Sequence, residues 1–282
     1  MTTWSSTGDR RPPSIARIAM YTVLIALSLI VLVPIVWAVL SSFKTQAELA
    51  ARPPTPLPGS FAPTNYTEAL RTFDFGVYLR NSVIVTVAAT ALTLVINTMA
   101  AYGLAKYNFR GRNLLFLVTL GTIMIPLQVI LISVYEVAAD LGLVNSLWGL
   151  IIPPAATPTG VFLLRQYMLG LPDELIEASR IDGAGEFRTF ARIIVPLCAP
   201  PLAVLAIFSV IWRWNDFLWP LIISQDQDRY TLPVALAQFD GQLVVPFNYI
   251  LAMSVVSMIP VIVIFLVLQR HITRGIAGTG LR

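Results

Sequence analysis

Within the segment 212–219, Trp212, Arg213, Trp214, Asn215, Asp216 and Trp219 bring indoles, a guanidinium, an amide and a carboxylate into an otherwise apolar run. Indole faces can cover the apolar side of a ring, and the polar groups can bond hydroxyls. The residues equally fit a structural role, an interfacial aromatic belt with an Arg213–Asp216 ion pair at helical i,i+3 spacing. Asn97 is a second polar candidate, for which a helix–helix hydrogen bond is the other reading. Catalysis is not indicated. One cysteine (Cys198) and one histidine (His271) exclude an internal disulfide and a Cys/His metal cluster. No nucleophile–base set stands out. No GxxxxGK[ST] loop is present, so the chain is expected to hydrolyse no ATP.

The elements that must position these residues are membrane helices. Of 282 residues, 56% are hydrophobic and only 12% charged, about half the charge that soluble domains carry. Crossing about 30 Å of hydrocarbon takes about 20 mainly apolar residues. Six stretches qualify or nearly so: 18–40, 82–104, 114–134, 147–167, 200–223 and 250–268. The expected class is an all-α integral membrane protein with six transmembrane helices. Pro153, Pro154, Pro158 and Gly160 should kink or unwind the fourth stretch. Pro34, Pro126 and Pro260 predict milder bends in the first, third and sixth. A charge at the bilayer centre costs about 2.5–3.5 kcal/mol on insertion scales, so Arg213 and Asp216 should face a cavity or a partner.

The basic residues set orientation. Arg10, Arg11 and Arg17, then Lys106, Arg110 and Arg112, then Arg165, Arg180, Arg188 and Arg192, then Arg270, Arg274 and Arg282 all fall on one side if the helices alternate. The other side carries Lys44, Arg52, Arg71, Arg80 and Arg229. The excess places both termini in the cytoplasm. It also accounts for the basic balance, so nucleic acid is not an expected partner. The first apolar run is too long for a signal-peptide h-region, and an uncleaved helix is expected. On the outer side, the proline-rich stretch 53–63 predicts a stiff extended connector. The sequon at Asn65 carries no functional weight.

The cytoplasmic loop 171–196 is the one sizeable polar stretch on its side. Pro172 and Asp173 suit a helix start, and Gly183 a left-handed stop. Leu175, Ala178 and Asp182 fall near one face of the first helix, with Glu174, Glu177 and Ile181 on another. In a second helix, Phe187, Phe190, Ala191 and Ile194 form an apolar stripe at i, i+3, i+4 and i+7, with Arg188 and Arg192 elsewhere and Pro196 leading into the fifth span. Two amphipathic helices joined by a hard glycine turn suit a docking hairpin better than a linker.

Glu177-Ala178-Ser179, Asp182-Gly183-Ala184, Phe190, Ile193 and Val195-Pro196 closely resemble the "EAA" loop of ABC importer permeases, with Ser179 where alanine is usual. Phe43-Lys44, Asn65-Tyr66, Asn81-Ser82, Ala100-Ala101-Tyr102 and the run 214–220 resemble its carbohydrate-uptake branch, of maltose or glycerol-phosphate type. The glycine-containing tail from Gly275 departs from the family's ending.

The resemblance implies a type I ABC importer permease fold. Its parts would be a cytoplasmic tail (1–17), a six-helix permease domain (18–270) and a second cytoplasmic tail (271–282), in a bacterial inner membrane. It implies an ATPase contact through Glu177, Ala178, Asp182, Gly183, Ala184 and Phe190, with Gly183 setting the turn. Implied partners are a second homologous permease, two ATPase subunits that bind the ATP and Mg, and an extracytoplasmic sugar-binding protein. This chain would hold no cofactor. The substrate path would include Trp214, Asn215, Asp216 and Asn97, and the outer loop 224–248 could reach the binding protein. An ion-coupled secondary transporter is the alternative, but no internal repeat supports it.

Overall fold

The computed structural model describes the backbone of residues 15–240 and 245–277 and the side chains of 17–240 and 245–266. Parts of both expected tails, including Arg10, Arg11 and the segment 278–282, therefore lie outside the described residues, as do the His271 side chain and Gly241 of the loop 224–248.

Every described element is helical. In chain order they are α1 (Ile15–Ser41), α2 (Gln46–Ala50), α3 (Thr64–Thr72), α4 (Phe75–Lys106), α5 (Arg112–Ile123), α6 (Leu127–Asp140), α7 (Leu147–Ile151), α8 (Pro158–Leu169), α9 (Glu174–Ile181), α10 (Glu186–Thr189), a π-helical turn (Phe190–Ile194), α11 (Val195–Leu197), α12 (Ala199–Trp214), α13 (Leu218–Ile223), a 3-10 turn (Gln227–Arg229), α14 (Leu232–Asp240) and α15 (Phe247–Ala277). Helices suit apolar surroundings because each satisfies its backbone polar groups internally. Three continuous helices are long and apolar enough to cross a membrane: those at Arg17–Ser41, Phe75–Lys106 and Phe247–Leu266. Two bent pairs, α5 with α6 and Glu186–Leu197 with α12, raise the number to five.

α4 is the central post. It packs against α8, α12, α7 and α14. Its inward face carries Val85, Ala89, Thr93, Asn97 and Ala101, spaced four apart and all buried. Small side chains there let neighbouring backbones approach, as expected where van der Waals packing drives association in lipid. Gly160 of α8 answers Asn97, because a Cβ built there would stand 2.4 Å from the Asn97 amide nitrogen. By contrast, α1 is exposed from Arg17 to Trp37.

Three expected spans are more broken than hydropathy implies. The mild bend expected at Pro126 is a 107° turn between α5 and α6. The Pro153–Pro154 region separates α7 from α8, as the proline pattern leads one to expect. The fifth stretch, expected as one helix over 200–223, stops at Trp214 and restarts at Leu218, and a 78° bend at Cys198 precedes it. Pro196, Pro200 and Pro201 flank that lower bend, and proline cannot bond back to the preceding turn.

The segments that follow α1 and lead into α4, α14 and α15 are joined by buried polar residues. Lys44 is 2% exposed. Its ammonium donates to the Thr55 carbonyl at 2.5 Å and sits 4.4 Å from the Trp37 ring centroid. Glu48 accepts from the Gly59 N–H at 2.7 Å. These bonds fold the segment 53–63 back over the end of α1, so it is not the extended connector that its prolines suggest. Asn65 donates to the carbonyls of Ser42 and Lys44 and accepts from Asn248. Its amide is thus spent on structure, and the sequon there is closed. Asn81 grips the Asp228 and Tyr230 carbonyls, and Ser82 accepts from the Leu232 N–H at 2.7 Å.

Candidate functional site

The hairpin from α9 to α11 is built around Gly183. Its φ of +76° lies in the left-handed region, which L side chains avoid and glycine enters freely. The Ala184 N–H reaches the Ser179 carbonyl and the Gly183 N–H reaches the Arg180 carbonyl. Those two bonds are the Schellman pattern that closes a helix C-terminus. Ser179, the departure from the family's alanine, is 5% exposed. Its hydroxyl donates to the Ile176 carbonyl at 2.7 Å and shares a 2.9 Å bond with Thr189 across the turn. The serine therefore joins the two arms.

The second arm differs from its expected stripe. At the π-helical turn the Val195 N–H bonds five residues back, to the Phe190 carbonyl, and the extra residue rotates the remainder of the arm. Thr189 and Ile194 are buried, whereas Ala191 is exposed and Phe187 is 78% exposed. Phe190 turns inward, its ring 5.3 Å from that of Tyr102. Ile176, Ile194 and Cys198 join Tyr102, Leu164 and Leu205 in one apolar cluster, which seats the hairpin on α4, α8 and α12.

The end of α4 holds both arms. Lys106 donates to the Leu171 carbonyl and to an Asp173 carboxylate oxygen, each at 2.6 Å. Tyr107 donates its hydroxyl hydrogen to Glu186. Arg180 closes the hairpin by bonding the same Glu186 carboxylate at 3.0 and 2.8 Å. The hydrogen bond from Tyr107, then those from Arg180, hold the Glu186 carboxyl below the usual carboxylate value, and the same partnership raises Arg180. Asp173 is thus a clamp point rather than a helix cap, since its side chain makes no capping bond. Arg165, one of the basic residues on which the expected orientation rests, is buried. Its Nε donates to the Leu104 carbonyl at 3.1 Å and its guanidinium lies 3.8 Å from the Phe116 ring centroid.

Much of the hairpin's surface is exposed. Glu177, Ala178, Asp182 and Gly183 are exposed and Ala184 is half-buried. Ile181 is 87% exposed. Together with Phe187 it puts two large apolar side chains on the polar rim. The sequence did not single these two out as contacts. Their signal was apolar residues flanking the glycine turn.

At the membrane end, the tryptophan cluster divides. Trp214 is 4% exposed and donates its indole N–H to the Ser257 carbonyl at 3.0 Å. With Asn215 it lines a cavity of about 390 Å³ against α14 and α15. Trp219 is equally buried and donates to the Gly149 carbonyl at 2.9 Å. Asp216 faces a different cavity of about 350 Å³, shared with Arg213, Ile125 and Pro154. The expected Arg213–Asp216 ion pair does not form. The helix ends at Trp214, so Asp216 leaves the i,i+3 position, and the Arg213 guanidinium donates to the Pro154 carbonyl. Asn97 is fully buried and lines neither cavity. It donates to the Thr157 hydroxyl at 2.5 Å and accepts from the Thr157 N–H at 3.1 Å, tying α4 to the start of α8.

With this geometry, the chain matches known proteins over nearly its full length. Residues 95–278 match the family described as binding-protein-dependent transport system inner membrane component. The chain is 35% identical to the arabinooligosaccharides transport system permease protein AraQ of Halalkalibacterium halodurans, over 91% of this chain and 93% of that protein. It is 34% identical to the diacetylchitobiose uptake system permease protein NgcG of Streptomyces coelicolor, covering 97% and 90%. It is 31% identical to the sn-glycerol-3-phosphate transport system permease protein UgpE of Agrobacterium fabrum, covering 96% and 99%. Among solved structures it is similar to a bacterial ABC transporter involved in importing the acidic polysaccharide alginate, with TM-score 0.82, 25% identity, and coverage of 95% and 99%. The chain belongs to the binding-protein-dependent transport inner membrane component family. It is a multi-pass membrane transport subunit of an ABC importer, not an enzyme.

Proposed function

We propose that this member of the family is the second, six-span permease of a bacterial sugar importer, and that its 171–196 hairpin docks on an ATPase subunit. The carrying observation is that Ile181 and Phe187 are both exposed on a hairpin that is clamped to the end of α4. Large apolar side chains held rigidly on a polar rim are what a partner's groove recognises. The Glu177 backbone N–H bonds the Asp173 carbonyl, but its carboxylate makes no hydrogen bond among the described residues, which leaves it for a basic group on that partner.

The reading assigns the chain six spans with 147–167 as the fourth, both termini in the cytoplasm, and the inner membrane as its location. The permease domain is 18–270, between tails 1–17 and 271–282. Its partners are a second homologous permease, two ATPase subunits that bind ATP and Mg, and an extracytoplasmic sugar-binding protein that meets the outer loops. The saccharide substrates named for two relatives, arabinooligosaccharides and diacetylchitobiose, support a sugar. The substrate path runs past Asn215 and Asp216, while Asn97 serves the joint with α8.

Copurification tests the assignment. The complex expressed with Glu177→Lys should retain the second permease but lose the ATPase subunits. Wild-type recovery of ATPase with that variant would sink the docking assignment.

A further inference from the structure

Three spans of this chain are broken, and all three breaks open on one cavity. Ile125 lies between α5 and α6, Pro154 between α7 and α8, and Asp216 between α12 and α13, and each lines the same space of about 350 Å³. Non-helical backbone at membrane depth persists only where protein buries it or where it borders a wet cavity. One break could be a packing accident, but three that meet make a chamber.

The chamber's polar groups are few and opposed in charge. Arg213 enters from the end of α12, with one end of its guanidinium held by the Pro154 carbonyl. Its Nε is buried and has no hydrogen-bond partner. Across the break, the Asp216 carboxylate is oriented by the Trp219 backbone N–H, which leaves most of its acceptor positions free. Ile125, Ile130 and Trp219 provide apolar wall. The other cavity is less well equipped, because its indole N–H is already spent on Ser257.

We propose that this chamber is a substrate subsite within the chain, binding one ring of a neutral saccharide. The Asp216 carboxylate accepts from ring hydroxyls, and the ring's C–H face lies on the apolar wall. A guanidinium and a carboxylate together carry no net charge, which favours a neutral ring over a phosphorylated or carboxylated solute. The volume falls within the range of small-molecule pockets, about 300–1,000 Å³. The inference rests on the sugar-importer reading and adds to it where the sugar is held and of what class.

The test uses the complete complex in liposomes, with binding protein, ATPase and partner permease. The probes are arabinotriose, N,N′-diacetylchitobiose and sn-glycerol 3-phosphate. Ile130→Trp fills the chamber from α6 without touching its charges, and Asp216→Asn removes the carboxylate's charge. Wild type should import a neutral saccharide. Both variants should lower that import about ten-fold or more, the loss expected for a charged hydrogen bond or its equivalent. Binding-protein-stimulated ATP hydrolysis should stay within about two-fold, as for an interaction confined to substrate binding. Saccharide import that both variants leave intact overturns the subsite alone, as does loss of import in step with ATP hydrolysis. A wild-type complex that imports no saccharide, or only sn-glycerol 3-phosphate, overturns the subsite and the sugar-importer reading together.

Discussion

Tyr107, the residue that closes α4, donates its hydroxyl hydrogen to Glu186, the first residue of α10, 79 positions along the chain. Its neighbour Lys106 holds Asp173 at the start of the other arm. One helix end therefore grips both arms of the hairpin. The same helix, at Asn81 and Ser82, grips the outer segment 228–232. The 25 residue-to-residue steps from Asn81 to Lys106 lie within unbroken α4 and span about 38 Å at about 1.5 Å per step. A displacement at the hairpin thus has a continuous rod leading to the opposite face.

That grip should depend on pH in one direction. The Glu186 carboxyl is held below its usual value by Tyr107 and then Arg180. A carboxylate with a depressed folded pKa adds stability that is present above its unfolded pKa of about 4.3 and is lost as pH falls through the folded value. A nitroxide at Ala184→Cys, in a Cys198→Ala background, should gain mobility as pH falls below the usual carboxylate range and remain ordered at neutral pH. Glu186→Gln should be mobile at both. Unchanged spectra across the range would remove Glu186 as the brace.

The two glycines of the turn should behave differently. A Cβ at Gly183 meets nothing within 4 Å, yet its φ is +76°; Gly185 is equally uncrowded and lacks a positive φ. Gly183→Ala should cost about 1–2 kcal/mol of the docked conformation, weakening ATPase binding by about five- to thirty-fold. Gly185→Ala should stay within about two-fold, as usual for surface changes. Isothermal titration on the solubilised permease pair distinguishes them. Equal losses would mean that the turn's conformation is not the cause.

Asn97 is expected to act through stability. Asn97→Leu strands the half-buried Thr157 N–H and hydroxyl, at a cost of about 0.6–2 kcal/mol by membrane hydrogen-bond measurements. Gly160→Ala should be at least as damaging, because its Cβ would stand 2.4 Å from Asn97 and 2.7 Å from Thr157. Both should lower the temperature at which the complex loses its monodisperse elution profile. Uptake per assembled complex should stay near wild type. A selective uptake defect in Asn97→Leu would return this residue to the substrate path.

Ser179→Ala restores the family's usual residue but leaves Thr189 with only its long 3.3 Å bond to the Gly185 carbonyl. The expected effect is small, within about 1 kcal/mol, because both hydroxyls leave no charge behind. Nitroxide mobility at Ala184→Cys would report it. A collapse of hairpin order would mean that the hydroxyl bridge, rather than the apolar cluster beneath it, sets the hairpin.

Local signals carried most of the legible content of the sequence. Pro172, Gly183 and Pro196 punctuate the hairpin because their backbone preferences act within a few residues. The π-helical turn was not legible, because it arises from seating Phe190 on Tyr102 and Ile194 in the cluster below. The fifth span misled for a similar reason. Its apolar average hides the break, although Asn215 beside Asp216 marks where a helix is least at home. Lys44, Asn65 and Asn81 carried the family resemblance, and the structure assigns them to joints between segments. Hydropathy reports how apolar a stretch is; it does not report which backbone it will break against.

The central claim is that Ile181 and Phe187 present this subunit to the ATPase. Its most direct test is the equilibrium affinity of purified ATPase subunit for the solubilised permease pair carrying Ile181→Glu and Phe187→Glu. Both side chains lie on the exposed face, so the pair should stay assembled. Affinity should fall by on the order of thirty-fold or more, as for loss of an interface hot spot. An affinity equal to wild type, with the permease pair intact, would contradict it.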